Sequence, residues 1–172
     1  MRILTWNVQG LGGGRQHQEC KRLREELNPS NIGGKIDILL LQEHHLSEER
    51  IQSLVNPLSG GWTTWWSAAQ GDLQRRGGVC ISISDKARYE VTSHGTLVAG
   101  RALYVLLKWN HLQIGVLNIY APNSSLERAI FWRMLATTLP DAEAWIMAGD
   151  FNMTEHLGDR KGGTERPIHG AE

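Results

Sequence analysis

Five polar residues interrupt the sequence at comparable places. Asn7 follows the apolar run 3–6, Glu43 follows the run 36–42, and Tyr120 closes the run 112–120. Asp150 and Asn152 follow the run 144–148. Each lies at or just past the carboxyl end of a segment that reads as a strand. In open α/β sheets, ligands bind in the crevice outside those ends. If the strands share an orientation, Asn7, Glu43, Asp150 and Asn152 converge on one rim. Two carboxylates and two amides, without cysteine or clustered histidine, suit a hard, oxygen-loving cation. Mg²⁺ takes one or two carboxylates, keeps several waters and completes its shell with phosphate oxygens. Taken singly, Asn7 and Asn152 read as turn formers. Glu43 and Asp150 read as solvated strand ends or caps, and Tyr120 as a core residue. Repetition at several strand ends is what sets them apart.

The elements that must carry these residues alternate β-rich apolar runs with helical stretches, which favours an α/β or α+β domain. Residues 3–6 read as a strand, followed by a Gly-rich turn at 10–14. Residues 18–27 read as a helix that Asn28-Pro29 ends. The run 36–42 is nearly all apolar, the mark of a buried strand. Ser47 caps a helix reaching about Val55, with Glu48 and Glu49 in the first turn, where acids suit the macrodipole. Further strands fall near 78–82, 89–93, 101–109 and 112–120, the last two joined by an Asn110-His111 hairpin turn. Ser124 and Glu127 form a capping box. The helix it opens carries Leu126, Ile130, Met134 and Leu135 on one face, and Pro140 ends it. Residues 144–148 read as another buried strand. Residues 153–172 are polar and Gly-rich, with no strand or helix signal.

The chain has 172 residues, 41% of them apolar, enough for one domain with a real core. Formal net charge is zero, so no global field draws the chain to nucleic acid or membrane. Binding to a polyanion would rest on a metal ion and a local basic patch. Lys21, Arg22 and Arg24, then Arg75 and Arg76, then Arg160, Lys161 and Arg166 are the local clusters; the first reads as an ordinary solvated face. Two cysteines, Cys20 and Cys80, argue against a disulfide scaffold or a zinc site. No apolar run approaches the ~20 residues a membrane helix needs, and residues 1–6 are too short for a signal peptide core. An intracellular protein is the default expectation, with no membrane partner. Of seven tryptophans, Trp62, Trp65 and Trp66 sit together. They read as core or interface packing before stacking on a base.

Leu4-Thr5-Trp6-Asn7-Val8-Gln9-Gly10 resembles the first motif of the endonuclease/exonuclease/phosphatase superfamily. Leu40-Leu41-Gln42-Glu43 resembles its second, the metal-binding glutamate. Arg76-Gly77-Gly78-Val79 resembles its Gly-Gly strand start. Asn118-Ile119-Tyr120-Ala121-Pro122-Asn123 is similar to its Tyr-x-Pro-Asn motif, and Gly149-Asp150-Phe151-Asn152 to its Gly-Asp-Phe-Asn motif. Five motifs in order are far more specific than one. The segment 42–47 also resembles the Gln-Glu-x-His-Leu stretch of endonuclease domains from non-LTR (LINE-type) retrotransposons. Ile83-Ser84-Asp85-Lys86 and Asp159-Arg160 look like theirs too. Gln9 stands where apurinic repair enzymes carry an aspartate, which suits the retroelement branch.

The resemblance implies a fold of two packed sheets flanked by helices, an α/β (α+β) sandwich. It implies Mg²⁺, or Mn²⁺ in its place, with Glu43 holding the ion and Asn7 supporting it or its water. Asp150 would orient or deprotonate the attacking water. Asn152 and Tyr120 would donate hydrogen bonds to phosphoryl oxygens, and Asn123 would contact a flanking phosphate. DNA would be the partner, nicked at a target site, with a reverse transcriptase domain elsewhere in a parent polyprotein and a nuclear location. Oligomeric state is not legible in the sequence.

In the superfamily, further strands and a Ser-Asp-His motif follow Gly-Asp-Phe-Asn. The 20 residues after Asn152 carry no such motif. The expectation is therefore a partial domain over 1–152 and a tail over 153–172, incomplete because the C-terminal strands are absent. Such a chain would be marginally stable and much less active than a full domain. His156 and His169 are the only histidines after Asn152, and His169 reads as a surface residue; His44 and His45 read as residues at a helix start. Two other functions follow from the same residues. One is a different superfamily hydrolase, acting on phosphoinositides, sphingomyelin or nucleotides. The other is a catalytically dead fragment that lacks the Asp-His pair.

Overall fold

A computed structural model of the chain describes residues 1–11, 36–53, 61–71 and 76–153. Two four-stranded sheets form, each from a different half of the sequence. In the first, β1 (Ile3–Asn7) runs parallel to β2 (Ile38–Gln42), with Asn7 opposite Gln42. β2 pairs antiparallel with β4 (Val79–Ser84), and β4 with β3 (Trp62–Ser67). In the second, β5 (Glu90–Val98), β6 (Ala102–Trp109) and β7 (Leu112–Tyr120) form an antiparallel meander. β8 (Ala144–Asp150) joins β7 in parallel, with Asp150 opposite Tyr120. A parallel neighbour needs a crossover, and α2 (Ser125–Thr138) supplies it. A short helix, α1 (Glu48–Ser53), follows β2, and Ser47 Oγ accepts the Arg50 amide at 3.4 Å.

The sheets pack face to face. Ile38 and Leu40, then Val79, Ile81 and Ile83, meet Leu103, Val105, Leu107 and Val116 in the shared core. The alternate residues of β2 and β4 face the other way. Leu39, Leu41 and Cys80 pack with Val8, Leu11 and Leu46. On the outer face of the second sheet, Leu117 and Ile119 pack with Phe131 and Leu135 of α2. Covering both faces is why β2 is apolar almost throughout rather than alternating. The fold is the expected α/β sandwich of two sheets with few helices.

Several local expectations change. The tryptophan cluster is itself a strand, β3, with Trp65 turned to the inter-sheet core and Trp62 and Trp66 to the outer cluster. β5 continues to Val98 because Gly95 does not stop it; a side chain there would collide with the Tyr104 ring on β6. Irregular register between Val91 and Ser93, and between Thr96 and Val98, bends the strand. Ser124 is the N-cap of α2, yet its side chain makes no cap hydrogen bond, so the capping box is not formed. Arg128 instead donates to the carbonyls of Pro122 and Asn123, at 3.0 and 2.8 Å. The apolar stripe of α2 is also turned. Phe131 and Leu135 are buried, whereas Leu126 and Ile130 are 72% and 57% exposed and Met134 is exposed with them. Phe131 offers more apolar area than any residue of the other stripe and wins the sheet-facing position. β8 is half-buried rather than buried, because among the described residues only β7 flanks it. β1 is likewise an edge. The expected helix at 18–27, Cys20, the basic clusters at 21–24 and 160–166, His156, His169 and the tail beyond Met153 lie outside the described residues. Among the described residues, no helix is long and apolar enough to cross a membrane.

The orientation of α2 can be read by urea unfolding. Phe131→Ala is expected to cost about 3–5 kcal/mol, and Leu126→Ala to stay within about 0.5 kcal/mol. Equal losses would mean that the helix presents the other stripe.

Candidate active site

The two parallel pairs bring four of the singled-out residues to one rim. Asn7 ends β1 beside Glu43, which follows β2; Tyr120 ends β7 beside Asp150, which ends β8. The Asn7 amide nitrogen lies 2.8 Å from Glu43 Oε1 and 2.9 Å from Asp150 Oδ2. Its two hydrogens thus reach one carboxylate in each sheet. Asn7 Oδ1 accepts the Gln9 amide at 3.1 Å, which fixes which end of the side chain faces the acids. Asp150 Oδ1 accepts the Asn152 amide at 3.0 Å, and the Asn152 side chain donates to Ala121 O at 2.7 Å. Ala121 N–H returns to Asp150 O at 2.8 Å. Asn123 stands apart: it is exposed, on the loop held by Arg128, with its carbonyl rather than its side chain engaged.

Glu43 sits in a left-handed backbone conformation, φ 55°, as does His45, φ 57°. Such residues cost on the order of 1–3 kcal/mol each and persist only where the surroundings impose them. Here His44 N–H and His45 N–H donate to the carbonyls of Gly78 and Gly77, at 3.3 and 2.9 Å. Between them, the His44 ring is fully buried. Its Nδ1 accepts the Leu46 amide at 3.0 Å, and its Nε2 faces Ser67 O at 3.2 Å. The ring is therefore neutral with its proton on Nε2. Trp66 meets it edge-on at 5.2 Å. Gly78, φ 100°, lies against the ring where any Cβ would overlap it, which accounts for the glycine at this position. Burial pushes the His44 pKa down to about 4. His44 is a wedge that holds the turn bearing Glu43, rather than a residue of the helix start. His45 points the other way, with Nε2 3.3 Å from Glu43 Oε2. Both oxygens of Glu43 thus have partners.

Tyr120 is buried, and burial first, then the charge of Glu43 it faces, pushes its phenol up to about 12. It remains a proton donor throughout the physiological range. The Arg101 guanidinium lies 5.2 Å from the centre of the Tyr120 ring and donates to Tyr120 O at 3.2 Å. Burial draws the Arg101 pKa down, against the pull of Tyr120 and Glu127. Arg101 and His45 were not singled out in the sequence as site residues. A lone arginine at a strand start carries no signal without the fold, whereas His45 is the histidine of the Gln-Glu-x-His-Leu stretch and could have been found there. Between the ends of β1 and β8 lies a cavity of about 590 Å³, lined by Thr5, Asn7, Gln42, Asp150, Phe151 and Asn152 among others. Among the described residues, no three His, Cys, Asp or Glu side chains converge. Two carboxylates flanked by amides fit Mg²⁺, which asks few protein ligands, and not zinc, which asks three or four.

Residues 4–170 match the Endonuclease/Exonuclease/phosphatase family. The chain belongs to this family. It is 29% identical, over 133 residues, to the transposon TX1 uncharacterized 149 kDa protein of Xenopus laevis, covering 74% of this chain and 10% of that protein. Among solved structures, the fold is similar to a humanized D. rerio TDP2 (TM-score 0.66, 19% identity, 89% of this chain and 66% of that one). It is also similar to the endonuclease domain of TRAS1, a telomere-specific non-LTR retrotransposon (TM-score 0.57, 21% identity, 90% and 60%). An AP endonuclease from Archaeoglobus fulgidus is a third such structure (TM-score 0.62, 20% identity, 94% and 62%). The chain spans a tenth of the transposon protein it matches and under two thirds of each of these solved chains.

The buried His44 makes the family site acid-sensitive. Its folded pKa, about 4, lies below the ordinary 6.5. The unfolded chain therefore gains the proton first as pH falls. The stability that depends on a neutral His44 is complete above pH 6.5 and lost on descent to about 4, a swing of about 3 kcal/mol. Urea midpoints measured at intervals from pH 7.5 to 4 test this. The wild type should fall more steeply than His44→Gln, and parallel curves would refute the assignment.

Proposed function

We propose that this site hydrolyses phosphodiester bonds with a bound divalent cation, Mg²⁺ or Mn²⁺, and that its substrate is DNA, nicked as by a retrotransposon endonuclease. The observation that supports this most is the Asn7 bridge, which holds Glu43 and Asp150 together across two sheets. Glu43 holds the cation, and Asn7 supports it by fixing both carboxylates. The cation, when bound, supplies Lewis-acid polarisation of the phosphate and offsets charge on the leaving oxygen. Asp150 orients or deprotonates the attacking water. Tyr120, kept as a phenol, and the Asn152 amide donate to phosphoryl oxygens as charge develops. Donors of this kind contribute on the order of 3 kcal/mol each. Asn123, exposed on its loop, reaches a flanking phosphate, and Arg101 adds positive charge behind Tyr120. Likeness to a 149 kDa transposon protein supports a longer polyprotein, to which the same reading assigns DNA as partner, a reverse transcriptase domain and action in the nucleus. In that setting residues 1–152 form part of the family domain, and 153–172 are a polar, Gly-rich tail or the start of its C-terminal part.

The test is nicking of supercoiled plasmid by the folded chain with Mg²⁺ or with EDTA, with an inositol phosphate offered in parallel. Nicking should require Mg²⁺ and fall about 10²–10⁴-fold in Glu43→Ala and in Asp150→Ala. Phosphate release from the inositol phosphate without plasmid nicking would move the substrate to another branch of the family. A folded sample with neither activity would make this chain catalytically dead.

A further inference from the structure

Beneath the rim lies a second polar layer that the hydrolytic roles leave unused. Asn118, on β7, donates from Nδ2 to the carbonyls of Leu41 and Cys80, at 2.8 and 2.7 Å. Its Oδ1 accepts from Gln42 Nε2 at 2.6 Å. Gln42 Nε2 also reaches Thr5 Oγ1, at 3.0 Å. Asn118 and Gln42 are 0% and 1% exposed. Two primary amides inside an apolar sandwich cost several kcal/mol unless matched, so the layer holds together only in one arrangement. That arrangement ties β7 of one sheet to β1, β2 and β4 of the other.

Its position relative to the site is regular. Thr5 precedes Asn7 by two residues, Gln42 immediately precedes Glu43, and Asn118 precedes Tyr120 by two. Asn118 is opposite Ala148, which precedes Asp150 by two. Two residues of a strand span about 6.7 Å and return to the same face. Thr5 and Asn118 therefore sit one pleat repeat below Asn7 and Tyr120 on the same strand faces, and Gln42 joins them from the position next to Glu43. The apolar core around them is non-directional and tolerates sliding of one sheet over the other. The amide layer does not.

We propose that Asn118 is a positioning residue: with Gln42 it sets the stagger of the two sheets, and hence the Glu43-to-Asp150 separation that Asn7 spans. The kinetic consequence rests on the phosphodiesterase reading; the geometric one does not. The test uses the full chain labelled with ¹⁵N. The Asn7 side-chain amide reports directly on its two carboxylate partners through its chemical shift and hydrogen exchange. Asn118→Leu takes the side-chain donor from the carbonyls of Leu41 and Cys80 and leaves Gln42 Nε2 with Thr5 Oγ1 and Leu40 O alone. The double variant Gln42→Leu/Asn118→Leu removes both amides, and Thr5→Val removes a single acceptor. In every variant that circular dichroism shows to be folded, the Asn7 amide hydrogens should exchange faster, about tenfold in the double variant. Its kcat on plasmid should drop by about tenfold or more, with KM within about twofold. Thr5→Val should move the same resonances by less. Folded variants with wild-type Asn7 resonances and exchange would overturn the proposal, whatever their melting temperature, and leave the layer as core packing alone. A wild-type chain that cleaves nothing would sink the hydrolase reading while the Asn7 resonances still decided this one.

Discussion

Two carboxylates on facing sheets repel each other, and the rim of this molecule exists only because something neutral satisfies both. Asn7 is that group. A primary amide has two N–H bonds set roughly 120° apart and no charge, so it can donate to Glu43 and Asp150 at once without adding a charge of its own. A lysine there would bind both acids tightly and cancel the charge that a divalent cation needs. An aspartate would add a third negative charge. The rest of the site is arranged to keep the two acids where one short side chain reaches both.

That arrangement is expensive locally. Glu43 is held left-handed, and the stabilisation comes from its neighbours rather than from itself. The turn is fixed by carbonyls at Gly77 and Gly78, by a buried neutral histidine and by a glycine without room for a methyl group. On the other sheet, Gly149 plays a comparable part. Its φ is 141°, and a side chain there would run into the Ile119 carbonyl. Both acids are therefore preceded or faced by glycine, where backbone must pass close to backbone or ring.

Much of this was legible before any coordinates. The apolar runs at 36–42 and 112–120 are long and bounded by polar breaks, so the strands that carry Glu43 and Tyr120 are plain in the sequence, and the five motifs name the family. What was not legible depends on packing between distant segments. Trp62, Trp65 and Trp66 form a strand whose two faces are both partly covered, so no alternation marks it. The stripe Leu126, Ile130 and Met134 has the right spacing for a buried face, but Phe131 competes for the same sheet and burial goes to the larger ring. Asn118 and Gln42 read as members of motifs, and nothing in their spacing says that they meet. His44 beside His45 gives no hint that one is a core wedge and the other touches the acid.

The first sheet is drawn wholly from residues 3–84 and the second from 90–150. Each half can gather most of its own hydrogen bonds from nearby sequence, yet the rim belongs to neither. Asn7 and Asp150 are 143 residues apart. Closing so long a loop comes late and is entropically costly. Asn7 and Glu43 come from the first half of the chain, and the acid that completes the pair comes from the second. The rim is thus a reporter of docking: the Asn7 bridge exists only while the two sheets are packed together.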